Sequence, residues 1–562
     1  MNIIENLNFI GQDERVRKFL LPVRVVQTTG QVADAEKLLQ RKSLQIGHNE
    51  KNRTILENGS SGENASVLLD FGIEMNGSVR LMIADTKCGG YAQVRITFGE
   101  SAAEANSRIG EKNAGNDHAA RRFTVPVQPL SDQEWGQTGF RFVKIELLSK
   151  NARVEFKSIL AVFVYREYEY KGGFSCSDEM LNRIYDTAVY TCHLNMQNMV
   201  WDGIKRDRLV WIGDMMPETM TIRDVFGCVP LVEQSLEFVR DQTPLPGWMC
   251  GGFHSYSMWW VIILWDWYMA SGSAAFLERN RTYALELLNN LCDLVAEDGS
   301  DRVTFYFFDW PTYQTPAAVS GVRTLLKMAL SCGVTLCEYY GEQLLAARCS
   351  QCRETLELKQ DDDYGYKQVA AFLAMSGSLD AESAGKRIVE GGTRGFSTFL
   401  LYFMLHIAAE SGRHEEALQL LKEYYSEMLR CGATSFWEDF STDWLKADDT
   451  VTELPQPGQH DIHGDCGAFC YKGFRHSLCH GWAAGAVPYI TEHILGVTIL
   501  EPGCTKLKIH PQLAGLEWAH GTFPTPFGTV EIDHRSQPDG TIISKIQAPE
   551  GVDIELVGAS RG

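Results

Sequence analysis

The period of the hydrophobic residues changes twice along this chain, and each change marks a different kind of structure. From about 66 to 165, apolar residues alternate with other residues, as at Val79, Leu81 and Ile83, and glycine-rich turns separate the runs. This alternation is typical of half-buried strands in an antiparallel β-sandwich. The first part of the chain is therefore predicted to be a sandwich, with the polar segment 104–122 as a long loop between strands.

From about 174 to 495 the apolar residues recur every three or four positions, which indicates helices. In 414–432, Ala417 and Leu421 share one face, and Gly432 stands where a glycine commonly ends a helix. Eleven or twelve such segments without intervening strands favour a ring of helix pairs. Besides 414–432, they are 178–199, 217–240, 255–271, 275–296, 317–341, 343–358, 363–375, 379–390, 396–411 and 476–494.

Strands return at the end of the chain, where KLKIHP, GTVEIDH, GTIISKIQ and VDIELVG are separated by glycine and proline turns. We therefore predict a multidomain chain: an N-terminal β-sandwich with a leader segment (1–172), a helical domain (173–496) and a small C-terminal β-sandwich (497–562). In a helical ring the loops at one end converge, so polar and aromatic residues at helix ends are candidates for a site.

The charge of the chain argues against two classes of partner. The formal net charge of -20 and the pI of about 5.2 would repel nucleic-acid phosphates and anionic lipid surfaces. The first residues show no basic region followed by an apolar one, and the apolar run 258–270 is short and contains Asp266. We expect no nucleic-acid partner, no export signal and no membrane anchor.

The cysteines point to a reducing compartment. There are 15 of them, an odd number, without the spacing of a disulfide framework. A cytoplasmic location is therefore expected, and the pair Cys349 and Cys352 is interpreted as ordinary thiols. No cofactor and no metal site is expected, and the sequence leaves a homodimer open. One further group matches no established ligand spacing: His460, His463, Cys466 and Cys470.

Residues 201–218, WDGIKRDRLVWIGDMMPE, combine seven ionisable side chains with two tryptophans. Gly203 and Gly213 argue against one straight helix through the segment, and a looped path could turn several carboxylates inward. The three aspartates in question are Asp202, Asp207 and Asp214.

A second segment, GATSFWEDFSTDW at 432–444, again places a carboxylate, Glu438, beside an indole, Trp437. Glycosides are cleaved by two carboxyl groups, one protonating the leaving oxygen and the other activating water or attacking the sugar. Indole rings suit the apolar C–H faces of a sugar. The residues alone leave a structural alternative open, in which Arg206 and Arg208 neutralise the aspartates in an ion-pair cluster between domains.

At these residues the chain resembles the inverting α-L-rhamnosidase family of glycoside hydrolases. The family run Asp-Cys-Pro-Gln-Arg-(Asp)-Glu-Arg-Leu-Gly-Trp-x-Gly-Asp is similar to DGIKRDRLVWIGD at 202–214, and its Gly-Ala-Thr-Thr-x-Trp-Glu is similar to GATSFWE at 432–438. The resemblance covers nearly the whole chain. It includes LLDFGIEMNGSVRL and VRITFGES in the first sandwich, SLCHGWAAGAVPYITEHILGV in the last helix and LKIHPQLAGLEWAHGTFPTPFGTVEI near the end.

The resemblance implies a central (α/α)6 barrel between the two sandwiches, and hydrolysis of a terminal α-L-rhamnosyl residue with inversion. By position, Glu438 matches the general base and Asp207 takes the place of the general acid. The resemblance and the adjoining motifs imply a sugar pocket formed by Asp202, Arg206, Trp211, Asp214, Asp309, Trp310, Trp437 and His480.

The motif departs from the family at the acid. Family members usually carry Glu where this chain has Asp207, which is one methylene shorter, and a misplacement of about 1 Å can cost ~100-fold in rate. The motif is also one residue shorter than the longer family form. We expect Asp202 and Asp214 to bind the two neighbouring arginines, which would leave Asp207 under net negative influence and favour its protonated form.

Two other functions stay open. A glycosidase of the same fold could act on another deoxy sugar, or on an acidic sugar whose carboxylate an arginine could bind. Alternatively, the short acid could mark a catalytically silent sugar-binding homologue.

Overall fold

The computed structural model describes residues 7–8 and 10–562. Its strands are β1 (Arg15–Leu20), β2 (Arg24–Thr29), β3 (Gln31–Ala33), β4 (Thr54–Asn58), β5 (Ser66–Lys87), β6 (Ala92–Gly99), β7 (Arg122–Val127), β8 (Ser131–Leu147), β9 (Ala152–Arg166), β10 (Gly173–Cys176), β11 (Val497–Ile499), β12 (Lys506–Ile509), β13 (Trp518–Thr525), β14 (Gly528–Ser536), β15 (Ile542–Gln547), β16 (Asp553–Leu556) and β17 (Ser560–Arg561).

The helices are α1 (Ala102–Asn106), α2 (Glu179–Asn195), α3 (Met215–Phe226), α4 (Pro230–Gln242), α5 (Met249–Gly252), α6 (His254–Ser271), α7 (Ala274–Asp293), α8 (Pro316–Tyr340), α9 (Gln343–Leu356), α10 (Lys367–Met375), α11 (Ala381–Val389), α12 (Leu401–Glu410), α13 (His414–Arg430) and α14 (Ala486–Tyr489). A π-helix, Ile490–Ile494, continues α14.

The first nine strands form one antiparallel sheet in the order β3-β4-β9-β5-β8-β6-β7, with β1 paired to β9 and β2 to β5. Val79, Leu81 and Ile83 lie in a single buried cluster, which confirms the alternation seen in the sequence. β5 has 22 residues, and its register shifts between Asp70 and Met75 and again near Gly77 let it pair with both β8 and β9. The bulges therefore bend one long strand through the sheet.

This sheet also holds a segment of the helical region in place. Arg141 of β8 binds Asp70 through two nitrogens, and its Nη1 donates to the Gly432 carbonyl at 2.9 Å. The Glu74 amide donates to the Thr434 hydroxyl at 2.8 Å. The residues leading to Glu438 are therefore fixed by a buried ion pair of a different part of the chain.

Helix α13 agrees with the sequence pattern. It ends at Arg430, and Gly432 follows with φ 90°, a left-handed conformation that favours glycine. The predicted helix 217–240 is instead two helices, because Gly227 has φ 76° and ψ -165° and Pro230 begins α4. The predicted helix 396–411 begins only at Leu401.

The last strands form two small sheets. The order in one is β10-β13-β14-β15-β17, and the other is β11-β12-β16. β10 precedes all the large helices, yet it pairs antiparallel with β13, from Gly173 opposite Thr522 to Cys176 opposite Ala519. The predicted helical domain, 173–496, therefore begins with a strand that belongs to a sheet of C-terminal strands.

Among the described residues, one helix, α8, has the length and hydropathy of a membrane-crossing segment, and 72% of its most apolar window is buried inside the protein. This degree of burial is typical of a helix in the core of a protein. All 15 cysteines, which lie in the described part of the chain, are free thiols.

Candidate active site

Loops at one end of the helices surround a pocket that encloses about 510 Å³ of free space, including the part open to solvent. Its polar wall is formed by Asp202, Arg206, Asp207, Asp214, Arg475, Glu438 and His480. Its aromatic wall is formed by Trp211, Phe253, Tyr256, Phe307, Trp310, Tyr471 and Trp482. The structure thus brings most of the predicted site residues into one pocket.

The loop 201–214 is closed by its own hydrogen bonds. The Asp202 amide donates to the Leu209 carbonyl at 3.0 Å, and the Leu209 amide donates to Asp202 Oδ1 at 2.9 Å. At the tip, Asp207 and Arg208 have φ values of 55° and 60°, so the chain turns sharply there. This turn presents the Asp207 side chain, which is 18% exposed, to the pocket.

One guanidinium joins the two predicted catalytic carboxylates. Arg206 Nη1 donates to Asp207 Oδ1 at 3.0 Å, and Arg206 Nη2 binds Glu438 Oε1. Arg208 points away, with its guanidinium 4.8 Å from the centre of the Trp201 ring and a hydrogen bond to the Gln137 carbonyl. The prediction that the arginines bind Asp202 and Asp214 was wrong, because the tight loop aims Arg206 across the pocket and Arg208 outward.

Asp202 and Asp214 are instead buried without an arginine. Burial raises the pKa of Asp202 well above its ordinary value, and the neighbouring carboxylates of Asp214 and Asp207 raise it further. Burial likewise raises the pKa of Asp214, although the Tyr256 hydroxyl, which donates to Asp214 Oδ1 at 2.9 Å, opposes the shift. These shifts favour the protonated form of each side chain, which can donate a hydrogen bond to a hydroxyl group.

Glu438 is held from both sides. The Ser477 amide donates to Glu438 Oε2 at 3.2 Å, and the Glu438 amide donates to the Ser477 carbonyl at 3.0 Å. Trp482 Nε1 and the Thr398 hydroxyl both donate to the Glu438 carbonyl. The side chain is 2% exposed, so it lies deeper than Asp207.

His480 precedes the final helical segment, whereas the sequence placed it on a helix. Its backbone is extended, and it pairs with Gly203 in an isolated bridge. Its Nε2 lies 3.4 Å from Glu438 Oε1 and 3.7 Å from Asp202 Oδ2. Burial, and next the charge of Arg206, lower the pKa of His480 well below its usual value, so the ring is neutral.

Two predicted site residues lie behind the pocket wall. Trp437 is 1% exposed and packs edge-on against Phe440 and His476. Asp309 accepts hydrogen bonds from the Trp310 amide at 2.8 Å and from the Ser397 hydroxyl at 2.5 Å. Both are turned away because they hold the loops that carry Glu438 and Trp310.

The segment 104–122 of the N-terminal part contacts two residues that line the pocket. His118 Nδ1 lies 2.7 Å from Asp207 Oδ1, and Asp117 Oδ2 accepts from Arg475 Nε at 2.8 Å. The sequence showed only a polar loop here, since a contact between positions so far apart leaves no local pattern.

A buried charged layer beneath the pocket was also missed. Lys205 donates to the carbonyls of Phe474 and His476 and lies 3.2 Å from Glu100 and 3.0 Å from Glu104. Glu100 Oε1 accepts from the Ser477 hydroxyl at 3.1 Å, and Oε2 accepts from the Leu478 amide. Glu100 thus binds the segment that donates to Glu438. The one available signal was the polar pair Glu100-Ser101 directly after a buried strand.

The four residues considered for a metal by sequence do not form a common site. His463 is bonded to the Ser101 hydroxyl and the His476 carbonyl, whereas His460 binds Asp449 Oδ1 at 2.7 Å. Cys466 lies 3.4 Å from His460 Nε2, and Cys470 lines the catalytic pocket.

Comparisons with known proteins agree with this geometry. The family model of the bacterial alpha-L-rhamnosidase six-hairpin glycosidase domain matches residues 169–331. An alpha-L-rhamnosidase of Alteromonas sp. (strain LOR) is 23% identical over 541 residues, which are 88% of this chain and 56% of that protein. This chain therefore spans little more than half the length of that relative.

Solved structures share the fold. A GH78 family rhamnosidase of Bacillus sp. GL1 matches with a TM-score of 0.75 at 19% identity, over 93% of this chain and 55% of that chain. A rhamnosidase from Klebsiella oxytoca with rhamnose bound matches with a TM-score of 0.66 at 18% identity, over 85% of this chain and 96% of that chain. In its matched domain, its sequence and its fold, the chain is similar to alpha-L-rhamnosidases.

Proposed function

We propose that this protein is a glycoside hydrolase that releases terminal α-L-rhamnose with inversion, with Glu438 as general base and Asp207 as general acid. The observation that carries the proposal is the pair of carboxylates on the two terminal nitrogens of Arg206, in a pocket with an aromatic wall.

We further propose that the helices form an (α/α)6 barrel between β-sandwiches, with the domains 1–172, 173–496 and 497–562. We also propose that the protein works in the cytoplasm.

The depth of the two carboxylates supports this assignment of roles. Glu438 is 2% exposed, and Asp207 is 18% exposed at the rim. A terminal sugar that enters the pocket would leave its glycosidic oxygen near the rim, where Asp207 could protonate it as the aglycone departs. A water molecule on the inner side of the sugar would give its proton to Glu438. Inverting enzymes separate the two groups by roughly 6.5–9.5 Å to make room for this water.

Arg206 would have to release Asp207 during the reaction, because a guanidinium stabilises a carboxylate and not a carboxylic acid. An arriving sugar could provide this change by taking hydrogen bonds from Arg206. Asp202 and Asp214, suited to donate, and neutral His480 would bind the remaining hydroxyls. The aromatic wall offers apolar surface to the C–H face and to the methyl group of a 6-deoxy sugar.

The contacts of Asp207 also favour a second candidate, a sugar-binding homologue without turnover. Asp207 is bound to both Arg206 and His118, and a protein that never protonates a leaving group has no need to break these contacts. In that case calorimetry would detect rhamnose binding, and no aryl glycoside would be hydrolysed.

The two carboxylates can be tested separately with aryl α-L-rhamnosides. We expect Glu438→Gln and Asp207→Asn each to lower kcat by at least about 100-fold, since each removes a proton-transfer group. Only Asp207→Asn should regain rate on a dinitrophenyl rhamnoside, because that leaving group departs without a proton. NMR identifies which anomer of the sugar is released first, and this anomer shows whether the reaction inverts the anomeric configuration.

Asp443→Asn is the matched control, because Asp443 is an acid of the same segment with a 59% exposed side chain. It should leave kcat unchanged. Unaltered rates in both active-site variants, or retention of the anomeric configuration, would contradict the assignment.

The length of the acid provides a second prediction. Asp207→Glu restores the family residue, so if reach limits protonation, kcat should rise by up to about 100-fold with little change in KM. Steady-state kinetics of the purified variant measures this. A fall in kcat would mean that the shortened loop already places Asp207 correctly. Turnover that appears only in the variant would identify the natural protein as a silent homologue.

A third prediction concerns Glu100, which positions Glu438 through Ser477. Glu100→Gln should lower kcat by about 10-fold and change KM by less than about 3-fold, because the sugar-binding side chains stay in place while the base loses its alignment. Thermal unfolding monitors the stability of the variant.

Coupling between the two residues separates positioning from a general loss of stability. Ser477→Ala should lower kcat similarly, and the double variant should be no slower than the slower single variant. Losses that multiply, or a rise in KM without a fall in kcat, would show that Glu100 does not act through Ser477.

A further inference from the structure

Two histidines and a glutamate meet at the end of the helices that faces away from the catalytic pocket. The segment 481–494 begins next to His480 in the pocket and ends with Glu492 and His493. Likewise, α12 begins just after Thr398, which contacts Glu438, and carries His406 further along. Glu492, His493 and His406 therefore converge roughly the length of a helix away from the catalytic residues.

The donor atoms of these side chains have the spacing of metal ligands. His406 Nδ1 lies 3.1 Å from His493 Nε2 and 3.6 Å from Glu492 Oε1. All three donor atoms lie within 4.8 Å of one another. Ligands about 2.0–2.1 Å from a tetrahedral Zn²⁺ are separated from each other by about 3.3 Å, so the three atoms could bind one ion with small adjustments.

Further contacts orient the glutamate. The Tyr402 hydroxyl, one turn before His406 on α12, donates to Glu492 Oε2 and leaves Oε1 directed toward His406. Hydrogen bonds of this kind fix the ligands of metal sites. Glu492 and His493 are neighbours in the π-helix Ile490–Ile494, and such wide turns are rare and often occur at functional sites.

The charges around the cluster also favour a cation. Within the described part of the chain, no lysine or arginine lies within 4.0 Å of Glu492. The other group with similar spacing, Glu100, Glu104 and His463, already contains a cation, because Lys205 binds both glutamates.

The site has access to solvent. Tyr402 and Glu492 lie on the wall of a second pocket, which has about 970 Å³ of free space between the helices and the C-terminal strands. A fourth coordination position could therefore be filled by water or a small ligand from this pocket.

We propose that His406, Glu492 and His493 form a binding site for a divalent transition-metal ion, with Zn²⁺ as the best match to two imidazoles and one carboxylate. The ion would link α12 to the π-helix at the base of the helical region. The proposal does not depend on rhamnoside hydrolysis, so the two can fail independently.

Cobalt provides the direct test on the full chain. After treatment with a chelator and dialysis, Co²⁺ is titrated into the protein, and the visible d–d bands report the ligand set. We expect one equivalent to bind, with four- or five-coordinate bands, no thiolate charge-transfer band, and displacement by Zn²⁺. Zn²⁺ should also raise the melting temperature, since it binds the folded chain.

Substitutions test whether the Co²⁺ bands arise from binding to His406 and Glu492. His406→Ala and Glu492→Gln should each weaken Co²⁺ binding by at least about 100-fold, and Tyr402→Phe, which keeps the ring and its packing, should weaken it by about 10- to 100-fold. His520→Ala, which removes a half-exposed histidine elsewhere, should have no effect.

Cysteines are the main competing ligands, because Cys292 Sγ lies 3.7 Å from Cys349 Sγ and Cys352 is close to both. Cys349→Ser should leave the signal unchanged. No bound cobalt, a thiolate band abolished by Cys349→Ser, or full binding by Tyr402→Phe and His406→Ala would overturn the proposal.

Discussion

The candidate site depends on one guanidinium. Arg206 lies 232 positions before Glu438 in the sequence, and its contact with that glutamate joins the loop after α2 to the loop after α13. It binds Asp207 at the same time. Because the group is rigid and planar, it fixes the distance and the relative direction of the two carboxylates more firmly than a lysine could.

The pocket stays buried because its charges are compensated in layers. Arg206 contacts both carboxylates that face the pocket, Lys205 contacts Glu100 and Glu104 beneath them, and His480 remains uncharged. The arrangement leaves Asp202 and Asp214 without a cation, and burial raises the pKa of both. Removing one partner from such a set leaves a buried charge, which typically costs about 3–5 kcal/mol. Few residues of the pocket can therefore be substituted singly without a loss of stability.

Local patterns in the sequence predicted local structure well. The strands around Val79 and the helix that ends before Gly432 follow from periodicity and from a single turn residue. The break at Gly227 was missed because apolar residues continue on both sides of it, and periodicity does not report a change in helix direction. Sequence motifs identified the residues of the pocket. They did not identify the partners of Arg206 and Arg208, because those partners depend on the path of a loop in which two residues have left-handed backbone conformations.

Contacts between distant segments left no signal. His118 and Glu100 belong to the N-terminal part, and nothing near them in the sequence, apart from the polar pair Glu100-Ser101, indicates that one would contact Asp207 and the other the Ser477 segment. Glu100 directly follows the end of β6, and His118 lies in the segment between β6 and β7, so both residues lie where the chain has left the large sheet. The N-terminal part thus holds residues of the pocket in place, which explains why the helical residues alone do not describe the site.

The left-handed turn at the loop tip gives a physical reason for the unusual acid. Asp207 has φ 55°, in a region that Asp and Asn occupy several-fold more often than most side chains, because their short polar groups can bond locally. A loop one residue shorter than the longer family form must turn more sharply, and this turn favours Asp over Glu at its tip. Asp207 lies on the wall of the pocket, so the shorter loop and the shorter side chain occur together at the same turn. The contacts of Asp207 with Arg206 and His118 hold this turn in place.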